Sequence, residues 1–289
     1  MLLVFFPRNP TMMTSGIAQS ITMEYEYSFM EHRSNITGFL QSAWADKSLG
    51  DTKFARVTVE DELKRYGPRS MKLILPAFFL SLILGVWKGI FDYRHRSTKK
   101  NIVGNGLTWL FQSIPDYFIV ISLQWVLIFT FPSLRLFSQQ NWYGFIVPML
   151  LISIYPMMYL ARITATALAS EDGQYYIQVA QSKGFPMKKV VNRHIFRNSL
   201  PIILSHTTSL MVHTLTSYMI IEYLLGIQGL GYRLFTALGF DKTFSIGMYS
   251  DFESGMIIGI GLCFLSLVVL AQIIGFLLKK CFRLPSWGE

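Results

Sequence analysis

Long apolar runs alternate with polar segments along this chain, and the runs have the length of membrane-spanning helices. A helix needs about 20 mostly apolar residues to cross the hydrocarbon core of a bilayer. Five runs are close to that length: Met71–Ile90, Gly106–Phe131, Tyr143–Ala161, Ile202–Leu225 and Gly255–Leu278. Prolines inside them are tolerated where neighbouring helices satisfy the freed carbonyls. The pattern predicts an all-α fold, a polytopic membrane helical bundle over residues 71–283.

The first 70 residues contain no run long enough to span a membrane. Met1–Phe6 is apolar but short, and it lacks the basic start and apolar core of a signal peptide. Residues 8–70 are mixed and polar, and we expect them to form an extracytoplasmic segment. One apolar stripe within them predicts either a short helix lying along the membrane or an ordinary packed surface helix. The stripe consists of Val57, Val59, Leu63 and Tyr66.

Composition and charge support the membrane prediction. The chain has 289 residues, of which 52% are hydrophobic and 15% are charged, and its net charge is +9. Loops 91–106 and 162–201 and the tail from Lys279 hold thirteen Lys and Arg, whereas loops 132–142 and 226–251 hold three. The positive-inside rule therefore places the first group, with the C-terminus, in the cytoplasm. The basic charge indicates topology rather than nucleic-acid binding.

The chain carries no signature of an ATPase, a metalloprotein or a disulfide-rich protein. Neither Lys47-Ser48 nor Lys242-Thr243 follows the glycine of a P-loop, so we expect partner subunits to hydrolyse any ATP. Cys263 and Cys281 lie in or just past an apolar run and indicate no disulfide framework. We expect no cofactor and no metal site. Glycine pairs at 85/89 and 255/259 permit close helix approach.

One polar and basic stretch between two apolar runs, Tyr176–Pro201, predicts a helix, a break and a second helix. We call it the elbow. Gly184 tolerates a left-handed conformation at the end of the first helix, and Pro186 suits the first turn of the next. The elbow is either a loop that only fixes topology or an amphipathic surface that grips a soluble partner. The residues alone leave both interpretations open.

The elbow resembles the cytoplasmic coupling loop of ABC-importer permeases of the oligopeptide/dipeptide/nickel family. The resemblance lies in Tyr176-Ile177-x-x-Ala180-x-x-Lys183-Gly184, followed by Arg193-His194-x-x-Arg197-Asn198 and Pro201. It implies a coupling loop over residues 171–201 that docks into a groove on an ATPase subunit. The implied coupling residues are Tyr176, Ala180, Lys183, Gly184, Arg193, His194 and Arg197.

The same resemblance implies partners and a substrate class. A second permease chain, two ATP-binding-cassette ATPase subunits and an extracytoplasmic substrate-binding protein would complete an importer of peptides or a related small solute in the bacterial inner membrane. Members of this family begin with a full first transmembrane helix, and Met1–Phe6 resembles its tail. The alternatives are a nickel or metallophore importer of the same family, a secondary transporter or channel, and a decayed, non-transporting membrane protein.

The run Ile202–Leu225 is unusually polar on one side. Polar groups that face lipid are costly, so this stripe predicts either interhelical hydrogen bonds or the lining of a translocation path. The stripe consists of His206, Ser209, His213 and Ser217. His206 and His213 lie about 10 Å apart along a helix, too far to share one metal ion.

Two carboxylates in apolar surroundings are further candidates. Glu222, followed by Gly229-Leu230-Gly231, resembles the acidic residue and glycine motif of the family's external lid. Glu222 is also a candidate for lining the translocation path, together with the polar stripe. The alternative for Glu222 is an interfacial carboxylate that reaches water. Asp116 follows Pro115 inside a run, where an ionisable group is a functional candidate or a partner for freed backbone groups.

Overall fold

Helices dominate the computed structural model, which describes residue 5 and residues 11–15, 20–24, 27–54, 56–98, 101–130, 142–240 and 253–282. The α-helices are α1 Phe29–Asp46, α2 Val59–His95, α3 Leu107–Ser113, α4 Asp116–Thr130, α5 Ile146–Ala169, α6 Tyr175–Ser182, α7 Met187–Val190, α8 Phe196–Ser205, α9 Thr207–Leu225, α10 Leu230–Ala237 and α11 Ser254–Cys281. Two π-helical turns, Ile102–Gly106 and Val191–Ile195, and a 3-10 turn, Trp142–Phe145, adjoin them.

The predicted helical fold is confirmed, and a small hairpin accompanies it. Strands β1, Thr11–Ser15, and β2, Ser20–Glu24, pair antiparallel with Thr11 opposite Glu24. Both strands lie in the polar N-terminal segment, for which no strand was predicted.

Among the described residues, three helices are each long and apolar enough to cross a membrane: α2, α5 and α11. Two bent helix pairs raise the number to five if each pair counts as one span. One pair joins Ile102–Ser113 to Tyr117–Thr130, and the other joins α9 to α10. Each of the five predicted runs overlaps one of these three helices or one of these two pairs.

The run that begins at Gly106 is bent at Pro115, a residue whose ring can kink a helix. Its two halves meet at an angle of 104°. Ile114 has φ −95° and ψ 130°, because the ring of Pro115 disfavours a helical conformation in the preceding residue. Helix α4 begins at Asp116, whose side chain lies outside the described part of the structure, so its role stays a prediction.

The run Ile202–Leu225 is also divided. Residues 202–205 are the end of α8, and α9 begins at Thr207. His206 stands at the junction with φ −90° and ψ 6°. A candidate path residue thus occupies a helix boundary rather than a helix interior.

Helix α2 is longer than the apolar run that predicted it. It continues through Pro68 and Pro76 to His95, so three members of the stripe, Val59, Leu63 and Tyr66, lie in its first turns, whereas Val57 precedes it. Neither a separate membrane-surface helix nor a separate packed surface helix is present there. The predicted segment boundary at residue 70 falls inside this helix.

The chain divides into two compact units, Met1–Tyr66 with Arg233–Leu262 and Gly67–Tyr232 with Cys263–Glu289. In the first unit, the buried guanidinium of Arg233 forms ion pairs with both Glu62 and Glu253. Lys53 Nζ lies 4.0 Å from Glu253 Oε1. Two cations therefore balance two carboxylates, which is the condition under which buried charges are tolerated.

In the second unit, α2 approaches α5 closely at two glycines. A Cβ at Gly85 would lie 2.9 Å from both Leu160 Cβ and Met157 O, and a Cβ at Gly89 would lie 2.5 Å from Ala161 O. The close helix approach predicted from this glycine pair is confirmed. The fully buried side chains of the unit surround the contact and include Phe78, Ile152, Leu160, Met211 and Tyr218.

Candidate functional site: the elbow and the polar helix α9

The turn of the elbow has the conformation that its sequence predicts. Helix α6 ends in a Schellman motif, in which the Gly184 N–H donates to Gln181 O at 2.8 Å and the Phe185 N–H donates to Ala180 O at 3.2 Å. Gly184 has φ +78°. A Cβ there would meet nothing within 4 Å. The glycine is needed for its backbone conformation and not for space.

A small apolar core holds the elbow on two long helices. Its buried members are Tyr93, Leu168, Ile177, Ala180, Val190, Val191 and Ile195. Tyr93 belongs to the end of α2 and Leu168 to the end of α5. The elbow therefore cannot shift without disturbing the ends of both helices.

Polar contacts strengthen this attachment. Asp172 accepts from the Tyr93 hydroxyl at 2.7 Å and pairs with Arg96. Partial burial raises the pKa of Asp172, but the bonds from Arg96 and Tyr93 outweigh it and hold the pKa below its usual value. Ser199 Oγ donates to Ala167 O at 2.9 Å, which joins α8 to the last turns of α5.

The predicted coupling residues divide into an outward and an inward group. Lys183, Gly184, Arg193 and Arg197 are exposed, whereas Tyr176 and His194 are half-buried and Ala180 is buried. The Tyr176 hydroxyl donates to Glu171 Oε2 at 2.7 Å. Burial, then this bond, raises the pKa of Tyr176 to about 12. The inward group lies within or against the core of the elbow, and its coupling role stays a prediction.

Three exposed apolar residues complete the outer surface and were missed by the sequence analysis. Tyr175 is 82% exposed, Val179 is 53% exposed and Met187 is 45% exposed. Exposed Lys183, Lys188 and Lys189 accompany them. The spacing of Tyr175 and Val179 by four residues was the available signal, since it places them on one face of α6.

Aromatic side chains of α5 contact both histidines of the polar stripe on α9. The Tyr159 hydroxyl lies 3.0 Å from His206 Nδ1, and its ring centroid lies 4.4 Å from that of His213. Tyr155 lies 5.4 Å from His213, centroid to centroid. The two histidines thus share a tyrosine. Groups of three or more His, Cys, Asp or Glu able to hold a metal ion do not occur among the described residues.

The serines of the stripe occupy different environments. Ser217 is 1% exposed, whereas Ser209 is partly exposed. Ser209, His206 and His213 are therefore still candidates to line a polar surface. Ser217 is buried in the interior of the helical bundle.

Glu222 is buried and holds the beginning of α10. Its Oε2 accepts from the Gly231 N–H at 2.6 Å, the Tyr232 N–H at 3.1 Å and the Tyr218 hydroxyl at 2.6 Å. The side chain is 1% exposed, so it does not reach water as an interfacial carboxylate would. Its contacts satisfy N–H groups that the first turn of a helix leaves free.

The glycines after Glu222 make room for this carboxylate. A Cβ at Gly229 would collide with Glu222 Oε1, and a Cβ at Gly231 would lie 2.8 Å from Oε2. Ser70 of α2 completes the cluster, because its Oγ accepts from the Leu230 N–H at 2.9 Å. The motif noted in the sequence therefore has a steric reason in this fold.

A buried ion pair near the end of α2 escaped the sequence analysis, which placed Asp92 in a loop. Lys88 Nζ donates to Asp92 Oδ1 at 2.6 Å and to Thr108 Oγ1 at 2.9 Å. It also donates to Gly104 O at 3.0 Å. The spacing of Lys88 and Asp92 by four residues was the signal. The network ties the π-helical turn before α3 to α2.

Residues 78–283 match the protein family described as "Binding-protein-dependent transport system inner membrane component". The chain belongs to this family. As a member, it is a multi-pass inner-membrane permease component, in agreement with its apolar helices.

Similar proteins agree with the membership. The oligopeptide transport system permease protein OppB of Escherichia coli K12 is 30% identical over 199 residues, which are 67% of this chain and 64% of OppB. The dipeptide transport system permease protein DppB of Bacillus subtilis is 28% identical over 178 residues, 60% of this chain and 56% of DppB. The chain thus matches less than two thirds of the length of these relatives.

A solved structure of the family's fold is also similar. An inward-facing structure of the MetNI methionine ABC transporter has a TM-score of 0.60 at 17% identity, with 76% of this chain and 96% of that chain covered. At this identity the likeness concerns the fold, which it shares with this permease component.

Proposed function

We propose that the protein is the permease subunit of an ATP-driven importer of peptides or a related small solute. The observation that carries the proposal is the elbow: two short helices joined by a Schellman turn, packed on the ends of α2 and α5, with an exposed surface that is both apolar and basic. The relatives named for oligopeptide and dipeptide transport support the substrate class.

Two ATP-binding-cassette subunits supply the energy in this proposal, since the chain has no P-loop of its own. Tyr175, Val179 and Met187 would enter an apolar groove on one ATPase, and Lys183, Arg193 and Arg197 would contact its rim. A second permease chain would complete the translocation path, and an extracytoplasmic binding protein would deliver the solute. The count of basic residues supports a cytoplasmic elbow and C-terminus.

Closure of the ATPases would move the elbow between two positions. The movement reaches α2 through Tyr93 and Asp172, and it reaches α5 through Leu168 and the Ser199–Ala167 hydrogen bond. Nucleotide must favour one packing of the long helices over the other for this to switch access.

The polar surface of α9 supports a lining role for His206, Ser209 and His213 in the proposed path, with Ser217 beneath it. For Glu222 we propose a different role from lining. Its hydrogen bonds to the start of α10 would fix the angle of the external segment beneath the binding protein.

The test is Gly184→Val in the full assembly, with uptake and ATP hydrolysis measured in proteoliposomes. A left-handed conformation costs an L-residue about 1 to 2 kcal/mol, so the turn should change shape while the chain stays in the membrane. We expect ATP hydrolysis to lose its dependence on the binding protein and uptake to fall. Gly50→Val is the matched control, because Gly50 also has a positive φ, +97°, with open space around it.

A second variant tests docking directly. Val179→Asp places a charge on the exposed face of α6 without touching the elbow core, and we expect less ATPase subunit to co-purify. Full uptake by both variants, with normal co-purification, would contradict the proposed coupling. If the wild-type assembly took up a nickel chelate and not peptides, the proposed coupling mechanism would stand, but the proposed substrate class would be wrong.

A further inference from the structure

A basic groove lies where the end of α2 meets the elbow. One part is a cavity of about 510 Å³ whose lining includes Arg94, His95 and Lys188. A neighbouring cavity of about 450 Å³ shares Arg94 and His95 and adds the apolar side chains of Trp87 and Phe196. Both volumes fall within the range of ligand sites. The groove is therefore basic at one end and aromatic at the other.

The basic end carries charge that the described residues do not neutralise. Arg94 donates to the amide oxygen of Asn192, a neutral partner. Its Nε is buried and has no hydrogen-bond partner within the described ranges. The neighbouring Arg96 pairs with Asp172, but Arg94 takes part in none of the ion pairs among the described residues. A buried donor without an acceptor is costly, which favours an anionic occupant.

The aromatic end continues along an exposed apolar face of α2. Phe79 is 44% exposed, Ile83 is 65% exposed and Trp87 is 67% exposed. Their spacing of four residues places them on one face of the helix. From Trp87 to Arg94 the helix advances about 10 Å. A molecule with an apolar chain on this face would place its polar head at Arg94.

We propose that this groove binds an anionic phospholipid, with its phosphate at Arg94, His95 and Lys188 and an acyl chain along Trp87. Basic pockets at the membrane surface bind such head groups, and tryptophan is favoured at this depth. His95 Nδ1 donates to Phe91 O at 2.9 Å, so Nε2 donates to the phosphate when the ring carries both protons. The inference rests on the membrane location of the chain and does not depend on the proposed import.

The proposal gives the elbow a second neighbour besides an ATPase. Lys188 belongs to α7, and Asn192 belongs to the π-helical turn that follows it. A phosphate bound at Arg94 therefore bridges α2 and the elbow through charge. An acidic side chain of a soluble partner is the competing occupant, but it would have no use for the apolar face that runs back along α2.

The experiment is native mass spectrometry of the full chain with the subunits that co-purify. The assembly is delipidated in mild detergent and titrated with dioleoylphosphatidylglycerol or dioleoylphosphatidylcholine. We expect the wild type to retain phosphatidylglycerol preferentially. Arg94→Gln should weaken phosphatidylglycerol retention about fivefold, which is the effect of one basic side chain at a charged membrane surface. Arg94→Lys keeps the charge and should retain most of the bound phosphatidylglycerol. Lys188→Gln should weaken it similarly, which provides a second variant should Arg94→Gln not fold.

Arg162→Gln is the matched control, because Arg162 is exposed and also donates to a neutral amide, Gln112 Oε1, at 3.1 Å. It should change retention by less than about twofold. Equal retention of the two lipids, or equal loss in the Arg94 and Arg162 variants, would overturn the proposal. A loss of co-purifying ATPase in Arg94→Gln with unchanged lipid retention would overturn it too, in favour of a protein partner.

Discussion

Replacing Gly229 by alanine tests the buried cluster around Glu222. The added Cβ would collide with Glu222 Oε1 and would lie 2.7 Å from its Cδ and 2.8 Å from Ser70 Oγ. The carboxylate cannot simply turn away, because its other oxygen accepts three hydrogen bonds. Overpacking of a buried site costs about 1 to 3 kcal/mol. Each hydrogen bond to Glu222 that the collision strains adds to this loss.

We therefore expect Gly229→Ala to destabilise the protein by about 3 kcal/mol. For a chain of this size such a loss lowers the apparent Tm by roughly 6 to 12 °C. The assay is thermal unfolding in nanodiscs, followed by tryptophan fluorescence at one scan rate. Gly67→Ala is the control, because a Cβ at Gly67 meets nothing within 4 Å inside α2. Alanine is also the better helix former there.

A double variant separates this collision from a general loss of packing. In Glu222→Ala the carboxylate is gone, so adding alanine at Gly229 should cost clearly less than it does in the wild type. The reasoning is refuted if Gly229→Ala unfolds at the wild-type temperature. It is also refuted if its cost is the same with and without the Glu222 side chain.

Two further predictions concern the attachment of the helices. Asp172→Asn should increase hydrogen exchange of the elbow amides, because the bonds from Tyr93 and Arg96 weaken. The pKa of Asp172 is lower in the folded protein than in the unfolded chain, where it is 3.8. The carboxylate therefore stabilises the elbow fully above pH 3.8, and this stabilisation is lost as the pH falls through the folded-state pKa. The prediction would be contradicted if the difference in elbow hydrogen exchange between wild type and Asp172→Asn changed between about pH 5 and 8, where the carboxylate stays ionised. Gly89→Ala should lower the yield of folded protein, since its Cβ would lie 2.8 Å from Thr164 Cγ2; an unchanged elution profile and Tm would contradict the close approach of α2 and α5.

The elbow was predictable because its signals are local. A glycine two residues before a proline ends one helix and begins another, and this depends only on neighbouring residues. Which face of α6 points inward was not predictable in the same way. Both Ile177 and Val179 are apolar, and the choice is made by Tyr93 and Leu168, which arrive from distant parts of the chain.

The start of α2 and the role of Glu222 illustrate what a hydropathy pattern lacks. Apolar runs report the segment that suits a membrane, but a helix may begin earlier among charged residues, as α2 does at Val59. The contact of Glu222 with Gly231 requires the chain to bend between α9 and α10, which meet at 76°. Sequence order alone does not define that angle.

The ion-paired group of Glu62, Arg233 and Glu253 restricts how this sequence could diverge. Loss of Arg233 leaves the buried carboxylates of Glu62 and Glu253 without their shared guanidinium, a change that typically costs about 3 to 5 kcal/mol. Replacing all three with apolar residues of similar volume need not cost stability. Divergence at these positions is therefore expected in concert, with few viable intermediates, although 171 residues separate Glu62 from Arg233 in the chain.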